Sequence, residues 1–352
     1  MAAKKVKRTH VAVFMGGMSV EHEVSLNSGR MVVENLDADK YQVTPVVISK
    51  QGAWLFGDED LVDVYGAMSQ LKTRGVDCVF LALHGPFGED GRIQGMLDLL
   101  GIPYTCSGCA ASALAMDKVR SKAVVRELDV RLAKHIVVRR GVWQTDPEWV
   151  TNQVANELGF SCVVKSPCQG SSLGMGISAT GTDFLEDMEQ AFAFDDVVMV
   201  EEFIPGIELT CGVLDVDLKM GPRALPVTQI IPVSSSYFDY EAKYTPGATE
   251  EITPAEISAE LTAKVQEIAV RVHQVIGCSI WSRSDFIVAG PDPVWIEINT
   301  IPGMTQTSLY PQAAAADGIS YGALVGMFVE AALAGKNATT KASAGKSTGK
   351  GV

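Results

Sequence analysis

The chain has 352 residues, 47% of them apolar and 20% charged, and a formal charge of −13, so it exceeds one ordinary core and predicts two or three domains. Eight of its 29 basic residues lie in 1–8 and 336–352, which hold no acid, leaving 21 basic against 42 acidic residues between those tails. A body near −21 argues against nucleic acid as a partner, and runs such as Val11 to Met15 are far short of the ~20 apolar residues of a membrane helix.

Lys4, Lys5, Lys7 and Arg8 are followed by an apolar segment that is short and broken at Gly16-Gly17, unlike a secretory signal. From Thr9 to about Thr105 strands alternate with helices: strands Val11 to Met15, Gln42 to Ile48 and Cys78 to Leu83, helices Val24 to Leu36 and Arg92 to Leu99. That pattern predicts a doubly wound parallel sheet, with ligand contacts from the loops Gly16 to Glu23 and His84 to Gly91 at the carboxyl ends of its strands. A second unit, 106–200, opens on a helical stretch Ser112 to Glu127 and continues through a strand near Ile136 to Val138, a helix Trp149 to Leu158 and the strand Cys162 to Lys165. Seven cysteines without zinc-type Cys/His spacing fit a reducing, cytoplasmic compartment, and Cys106 and Cys109 read as unpaired. From Val197 an apolar strand runs into a turn ending at Glu208, and the third unit, 201–334, holds a following strand, Glu208 to Leu214, and a long helix, Pro254 to Ile276. Residues 335–352 are Gly/Ala/Ser/Thr/Lys low complexity and are expected to be disordered, without a catalytic role.

The chemistry concentrates near the C-terminal end. Arg283-Ser-Asp285 and Glu297-Ile-Asn299 fall on strands Ser284 to Val288 and Val294 to Ile298, joined by a Gly-Pro-Asp-Pro turn. Side chains alternate along a strand, so Glu297 and Asn299 share a face that Asp285 reaches from its neighbour. Two carboxylates, an amide oxygen and an arginine suit Mg²⁺ bound to nucleotide phosphates. The loop Gln169 to Gly176 leaves a strand ending at Lys165; its glycines and serines suit phosphate or, taken alone, a plain linker. No GxxxxGK[ST] is present, which excludes a P-loop. The strand-to-turn segment Val197 to Glu208 offers either an adenine pocket or an ordinary connection.

Six motifs in order carry a family resemblance: Gly16-Gly-Met-Ser-Val-Glu21-His-Glu-Val-Ser25, Ala82-Leu-His84-Gly, Met116-Asp-Lys118, Lys165 with Gly170-Ser-Ser-Leu-Gly174, Phe238-Asp-Tyr-Glu-Ala-Lys243-Tyr244 and Glu297-Ile-Asn-Thr-Ile-Pro-Gly-Met304. Across residues 9–333 the chain resembles the D-alanine:D-alanine ligases of the ATP-grasp superfamily. The resemblance implies three domains, α/β and α+β, with ATP gripped between the second and third, and a D-alanyl phosphate attacked by a second D-alanine. It implies ATP contacts from Lys118, Lys165, Ser171, Glu201, Glu202, Phe203, Ile204, Glu208 and Lys243, and two Mg²⁺ or Mn²⁺ ions on Asp285, Glu297 and Asn299. Arg283 and the Gly303 N–H would face the acyl phosphate. Glu21 would bind the first D-alanine's ammonium, with His84 near its carboxylate, and Ser308 and Leu309 would bind the second D-alanine. Glu21, Ser171 and Tyr244 would form a hydrogen-bonded trio closing the loop 238–251 over the site. A homodimer through the N-terminal domain and a place in peptidoglycan synthesis are further implications.

Three positions depart from the family pattern. The proline after Lys165 is displaced to Pro167, Phe238 replaces a frequent tyrosine, and Ser282 stands where glycine often precedes the arginine. Tyr244 favours D-alanine as acceptor over D-lactate or D-serine; a nucleotide-binding module without turnover is the rival of another class.

Overall fold

The computed structural model describes residues 7–171, 174–232 and 249–335. The first unit runs β1 (Thr9–Gly16), α1 (His22–Asn35), β2 (Tyr41–Ile48), β3 (Trp54–Phe56), α2 (Val64–Thr73), β4 (Cys78–Leu81) and α3 (Arg92–Leu100). Its sheet has the order β3-β2-β1-β4, with β1 parallel to both β2 and β4 and β3 added antiparallel at the edge. Strands β1 and β4 are apolar and buried along nearly their whole length, as parallel strands at a sheet centre must be. Their carboxyl ends deliver the loops at 17–21 and 82–91 to one place, where the Ser19 hydroxyl donates to the His84 carbonyl at 2.7 Å.

The single helix expected over Ser112 to Glu127 is two, α4 (Cys109–Met116) and α5 (Lys118–Val125), followed by a 3₁₀ turn at Arg126–Leu128. The break is at Asp117, whose side chain leaves the helical pattern to accept the Arg120 N–H at 2.9 Å. A short acid that can bond local backbone favours a cap over a helix interior. The cap makes Lys118 the first residue of α5. Both helices pack on the third unit's sheet through its last strand.

The second unit comprises β5 (His135–Arg139), α6 (Arg140–Thr145), α7 (Pro147–Glu157), β6 (Cys162–Lys165), β7 (Gly176–Ser178), α8 (Gly181–Phe192) and β8 (Val197–Glu202). Its antiparallel sheet, ordered β5-β8-β6-β7, packs Val164 and Val200 against Phe184 and Phe192 of α8. Helix α8 starts in a capping box, with Thr180 and Asp183 each bonding the other's backbone.

The third unit is the antiparallel sheet β12-β11-β9-β13-β14, formed by β9 (Ile207–Asp215), β10 (Arg223–Ala224, paired with β9), β11 (Thr228–Pro232), β12 (Thr249–Ile252), β13 (Ile280–Val288) and β14 (Pro293–Asn299). Helix α9 (Ala259–Ile276) buries Val265, Ala269, Val272 and Ile276, a stripe at helical spacing. It starts five residues later than the sequence suggests, because Ser258 is the cap, accepting from the Leu261 N–H. Helices α10 (Leu309–Ala316) and α11 (Tyr321–Leu333) close the fold. They are apolar on most sides, so they lack the polar stripe by which a helical period is recognised. Phe328 of α11 stacks on Trp281 with ring centroids 4.6 Å apart and lies 6.3 Å from Phe80, while the Trp281 Nε1–H donates to the Thr105 carbonyl at 2.7 Å. This shared core joins the first sheet to the third and sets their loops opposite one another. No single helix among the described residues is long and apolar enough to cross a membrane.

Candidate active site

Two cavities open where the three units meet. The larger, about 640 Å³, lies between the first unit's loops and the segment 297–309; the smaller, about 300 Å³, lies between the second and third sheets. Lys118, Gln169, Ser171, Arg283, Glu297 and Leu309 line both, so the cavities adjoin at two cations and a carboxylate.

Strand pairing builds that junction. Asp285 of β13 lies opposite Glu297 of β14, and Arg283 opposite Asn299. The register slips between Asp285 and Phe286, whose partner is Trp295, so Ile296 is the extra residue of a β-bulge. The bulge keeps Trp295 and Ile298 buried while both Ile296 and Glu297 line the smaller cavity, which strict alternation would forbid. Arg283 donates from Nε and Nη2 to the two oxygens of Asp285 at 2.9 and 2.8 Å. Thr210 Oγ1 donates to Asp285 Oδ1 at 2.7 Å and Asn299 Nδ2 to Oδ2 at 3.2 Å. Glu297 pairs with the Lys118 ammonium at 3.0 Å. Burial works against the charge on Lys118 and on Arg283, but the adjacent carboxylates outweigh it and hold both above their ordinary values.

Across the smaller cavity, Glu201 at the end of β8 binds two lysines. Its Oε1 is 2.7 Å from Nζ of Lys122, and its Oε2 pairs with Lys165. Although burial alone would raise the Glu201 carboxyl, the two ammonium groups bring it down to about 2. Glu202, Phe203, Ile204 and Glu208 line the same cavity. The Glu202 carboxylate accepts the Lys134 N–H at 3.0 Å and its own N–H bonds the Lys134 carbonyl at 3.0 Å. After Lys165 the loop is tied to the start of α5: the Pro167 carbonyl accepts the Lys118 N–H at 3.2 Å, and the Gln169 carbonyl accepts from Lys118 Nζ at 2.9 Å. Ser166 meanwhile bonds Asp195 at 3.1 Å.

In the larger cleft the Glu21 carboxylate accepts from the Ser171 hydroxyl and is wedged between two glycines. A Cβ would stand 2.4 Å from Glu21 Oε2 at Gly85, which has φ +69°, and 2.7 Å at Gly170. His84 bridges units rather than facing the cleft with a free nitrogen. Its Nδ1 lies 3.1 Å from the Ile301 carbonyl and its Nε2 2.9 Å from the Ser28 hydroxyl, which in turn accepts the Met304 N–H at 3.3 Å. One tautomer satisfies the whole chain, with Nδ1 donating and Nε2 accepting. Burial, which pushes His84 below its ordinary pKa, keeps that neutral form. The half-buried Glu89 accepts the Gly85 N–H at 2.8 Å and the Ile301 N–H at 3.1 Å. Burial, then the Glu21 charge, push its carboxyl up to about 8 against those two bonds. Gly303 sits beside Ser308, where a Cβ would fall 2.8 Å from the hydroxyl. The Ser308 hydroxyl accepts the Thr305 N–H at 2.9 Å, and α10 begins at Leu309.

The structure therefore gathers Glu21, His84, Ser171, Arg283, Glu297, Asn299, Gly303, Ser308 and Leu309 around one cleft, with Lys165, Asp285 and the 201–208 segment around the adjoining cavity. Lys243 and Tyr244 lie outside the described residues. Sequence reasoning missed Lys122, Glu89, Ser28 and Thr210. Lys122 stands four residues after Lys118, hence on the same helix face, which was the available signal.

Two antiparallel sheets gripping a cavity that opens on a carboxylate, lysine and arginine cluster define an ATP-grasp ligase. The family profiles described as D-ala D-ala ligase N-terminus and C-terminus match residues 10–107 and 124–330. A D-alanine–D-alanine ligase of Halalkalibacterium halodurans is 42% identical over 92% of this chain and 99% of its own. The solved D-alanine–D-alanine ligase of Bacillus anthracis complexed with ATP superposes with a TM-score of 0.76, at 30% identity over 94% of this chain and 100% of its own. The VanG D-Ala:D-Ser ligase of Enterococcus faecalis gives 0.79, at 31% identity over 92% and 99%. The chain belongs to the D-alanine–D-alanine ligase family.

Proposed function

We propose that this protein joins two D-alanines to D-alanyl-D-alanine at the expense of ATP, supplying a cytoplasmic step of peptidoglycan synthesis. The observation that carries the reading is the junction of the two cavities at Lys118, Ser171, Arg283 and Glu297. A nucleotide in the smaller cavity would point its terminal phosphate at a carboxylate held in the larger one. Glu201 to Ile204 and Glu208 would hold the adenosine, and Lys118 and Lys165 the phosphates, with Lys243 and Tyr244 acting from the loop over the site.

The donor set fits Mg²⁺ or Mn²⁺. Among the described residues no three His, Cys, Asp or Glu side chains cluster, but Asp285 and Glu297 are paired across β13 and β14 and the Asn299 amide lies against Asp285. Turning that amide over would present its oxygen at the same point. Magnesium commonly takes one or two carboxylates and completes its shell with phosphates and water. Two such ions would neutralise charge on the transferring phosphoryl group.

The residues support a two-step reaction. Glu21 holds the ammonium of the first D-alanine; a carboxylate oxygen of that D-alanine attacks the γ-phosphorus and ADP leaves. The ammonium of the second D-alanine gives a proton to solvent, the resulting amine attacks the carbonyl carbon, and phosphate leaves with the second nitrogen proton as the amide forms. Arg283 and the Gly303 N–H stabilise the oxyanion between. The second carboxylate is taken by Ser308 and the positive end of α10. His84 acts as a positioning residue, since both ring nitrogens are engaged by Ser28 and Ile301. The Glu21–Ser171 bond ties the glycine loop to the first unit, and Tyr244 would complete the trio. Closure would shield the acyl phosphate from water.

The domain division 9–105, 106–200 and 201–334 and a homodimer through the first unit are supported by the family resemblance; light scattering tests the second. Incubation with ATP, Mg²⁺ and D-alanine, then with D-serine or D-lactate added, tests the substrate. Dialanine by mass is expected, and a mixed product in its place overturns the acceptor.

A further inference from the structure

Among the described residues, Lys122 is the one lysine of this site that lines neither cavity. Its side chain is wholly buried, 0% exposed, its ammonium 2.7 Å from Glu201 Oε1 and 5.9 Å from the centre of the Trp295 ring. Glu201 is as deeply enclosed, with a side chain 4% exposed, and its other oxygen carries Lys165. One buried carboxylate thus holds two ammonium groups. A single cation suffices to neutralise it, and only one of the two, Lys165, lines the smaller cavity.

The geometry points to Lys122 as a positioning residue of the nucleotide site, the standing counter-ion of Glu201 that releases Lys165 to the phosphates. If Lys165 were the sole partner of Glu201, moving it to a phosphate would strand a charge in a low-dielectric interior, which strongly resists leaving an ion unpaired. With Lys122 in place the carboxylate keeps a partner at every stage. The opposite wall behaves differently: Lys118 pairs with Glu297 and Arg283 with Asp285, both in the proposed donor set, so those cations would be freed as a metal takes their carboxylates. Metal exchange is not open to Glu201, which lies outside the proposed donor set, and a second lysine takes that part. This inference rests on the reading of Lys165 as a phosphate ligand.

Binding of the non-hydrolysable β,γ-imido analogue of ATP with Mg²⁺, measured by calorimetric titration, tests it. Lys122→Met should weaken binding about tenfold or more. Lys122→Met with Glu201→Gln should bind at least about fivefold more tightly than Lys122→Met alone, because no buried carboxylate remains to hold Lys165. Lys122→Arg should stay close to wild type. Such recovery by a second substitution is not expected of damaged packing or of a lost direct ligand. Unchanged affinity in folded Lys122→Met, or a double variant as weak as the single, overturns the inference. Should Lys122→Met fail to fold, the double variant is compared with Glu201→Gln alone, which carries any loss of an adenosine contact: affinities within about threefold of each other support the inference, and a larger further loss in the double variant overturns it. Lys165→Met binding like wild type would instead remove the ligand reading beneath it.

Discussion

The two halves of the active site are held by different forces. On the amino-acid side, Glu89 and His84 grip the backbone of Ile301 from both its N–H and its carbonyl, and Ser28 takes the Met304 N–H. Neutral hydrogen bonds of this kind hold their geometry whether or not a ligand is present. On the nucleotide side the contacts are ion pairs: Lys118 with Glu297, Arg283 with Asp285, Lys165 with Glu201. Each cation there is one that a phosphate would take, and two of the three carboxylates are ones that a metal would take. The first half is a preformed hydrogen-bonded frame, of the kind the proposed stabilisation of an oxyanion would require. The second is built of ion pairs and, on the proposed reading, would exchange partners on loading.

The largest effect should come from breaking that exchange. Glu297→Gln removes the carboxylate that pairs with Lys118 and is proposed to hold the metal, and it should lower kcat by ~10³-fold or more while the melting temperature barely moves; near-normal turnover would refute the proposed metal role. Lys165→Met should lower kcat/KM for ATP by about a hundredfold and leave the KM for D-alanine almost unchanged, since it lies on the nucleotide side alone. His84→Ala acts on the hydrogen-bonded frame. It strips one bond from Ile301 and one from Ser28, so ~10-fold in kcat and a few degrees in melting temperature are expected; an effect confined to KM for D-alanine would show instead that His84 binds the substrate carboxylate directly.

The smallest effect concerns pH. Glu89 has its carboxyl raised to about 8 by burial and by Glu21. Between the ordinary glutamate range and about 8 the folded protein therefore binds more protons at this position than the unfolded chain. Its contribution to stability is greatest at acidic pH and falls as pH rises through that window. Melting curves from about pH 5 to about pH 8 should show that fall, and Glu89→Gln should flatten it; an unchanged slope would mean that Glu89 is not the group responsible.

Much of this was readable in the residues. The alternating strands and helices, the Gly-rich loop after Lys165 and the paired carboxylates each announced themselves because their chemistry needs particular residues at particular spacings. The elements that escaped did so for physical reasons. Helices α10 and α11 lack a polar stripe, Asp117 broke a helix that composition favoured, and the bulge at Ile296 arises from pairing that no single strand reveals. Glu89 and Lys122 were hidden because their importance lies in burial and in partners more than 75 residues away, at Ile301 and Glu201.

The most direct test of the account is the product itself: purified protein with ATP, Mg²⁺ and D-alanine, followed for ADP, phosphate and peptide by mass. The account predicts D-alanyl-D-alanine with one ADP and one phosphate for each dipeptide, in D-alanine alone and with D-serine or D-lactate competing. No ADP above background with any acceptor, or a mixed dipeptide or depsipeptide as the main product, would contradict it.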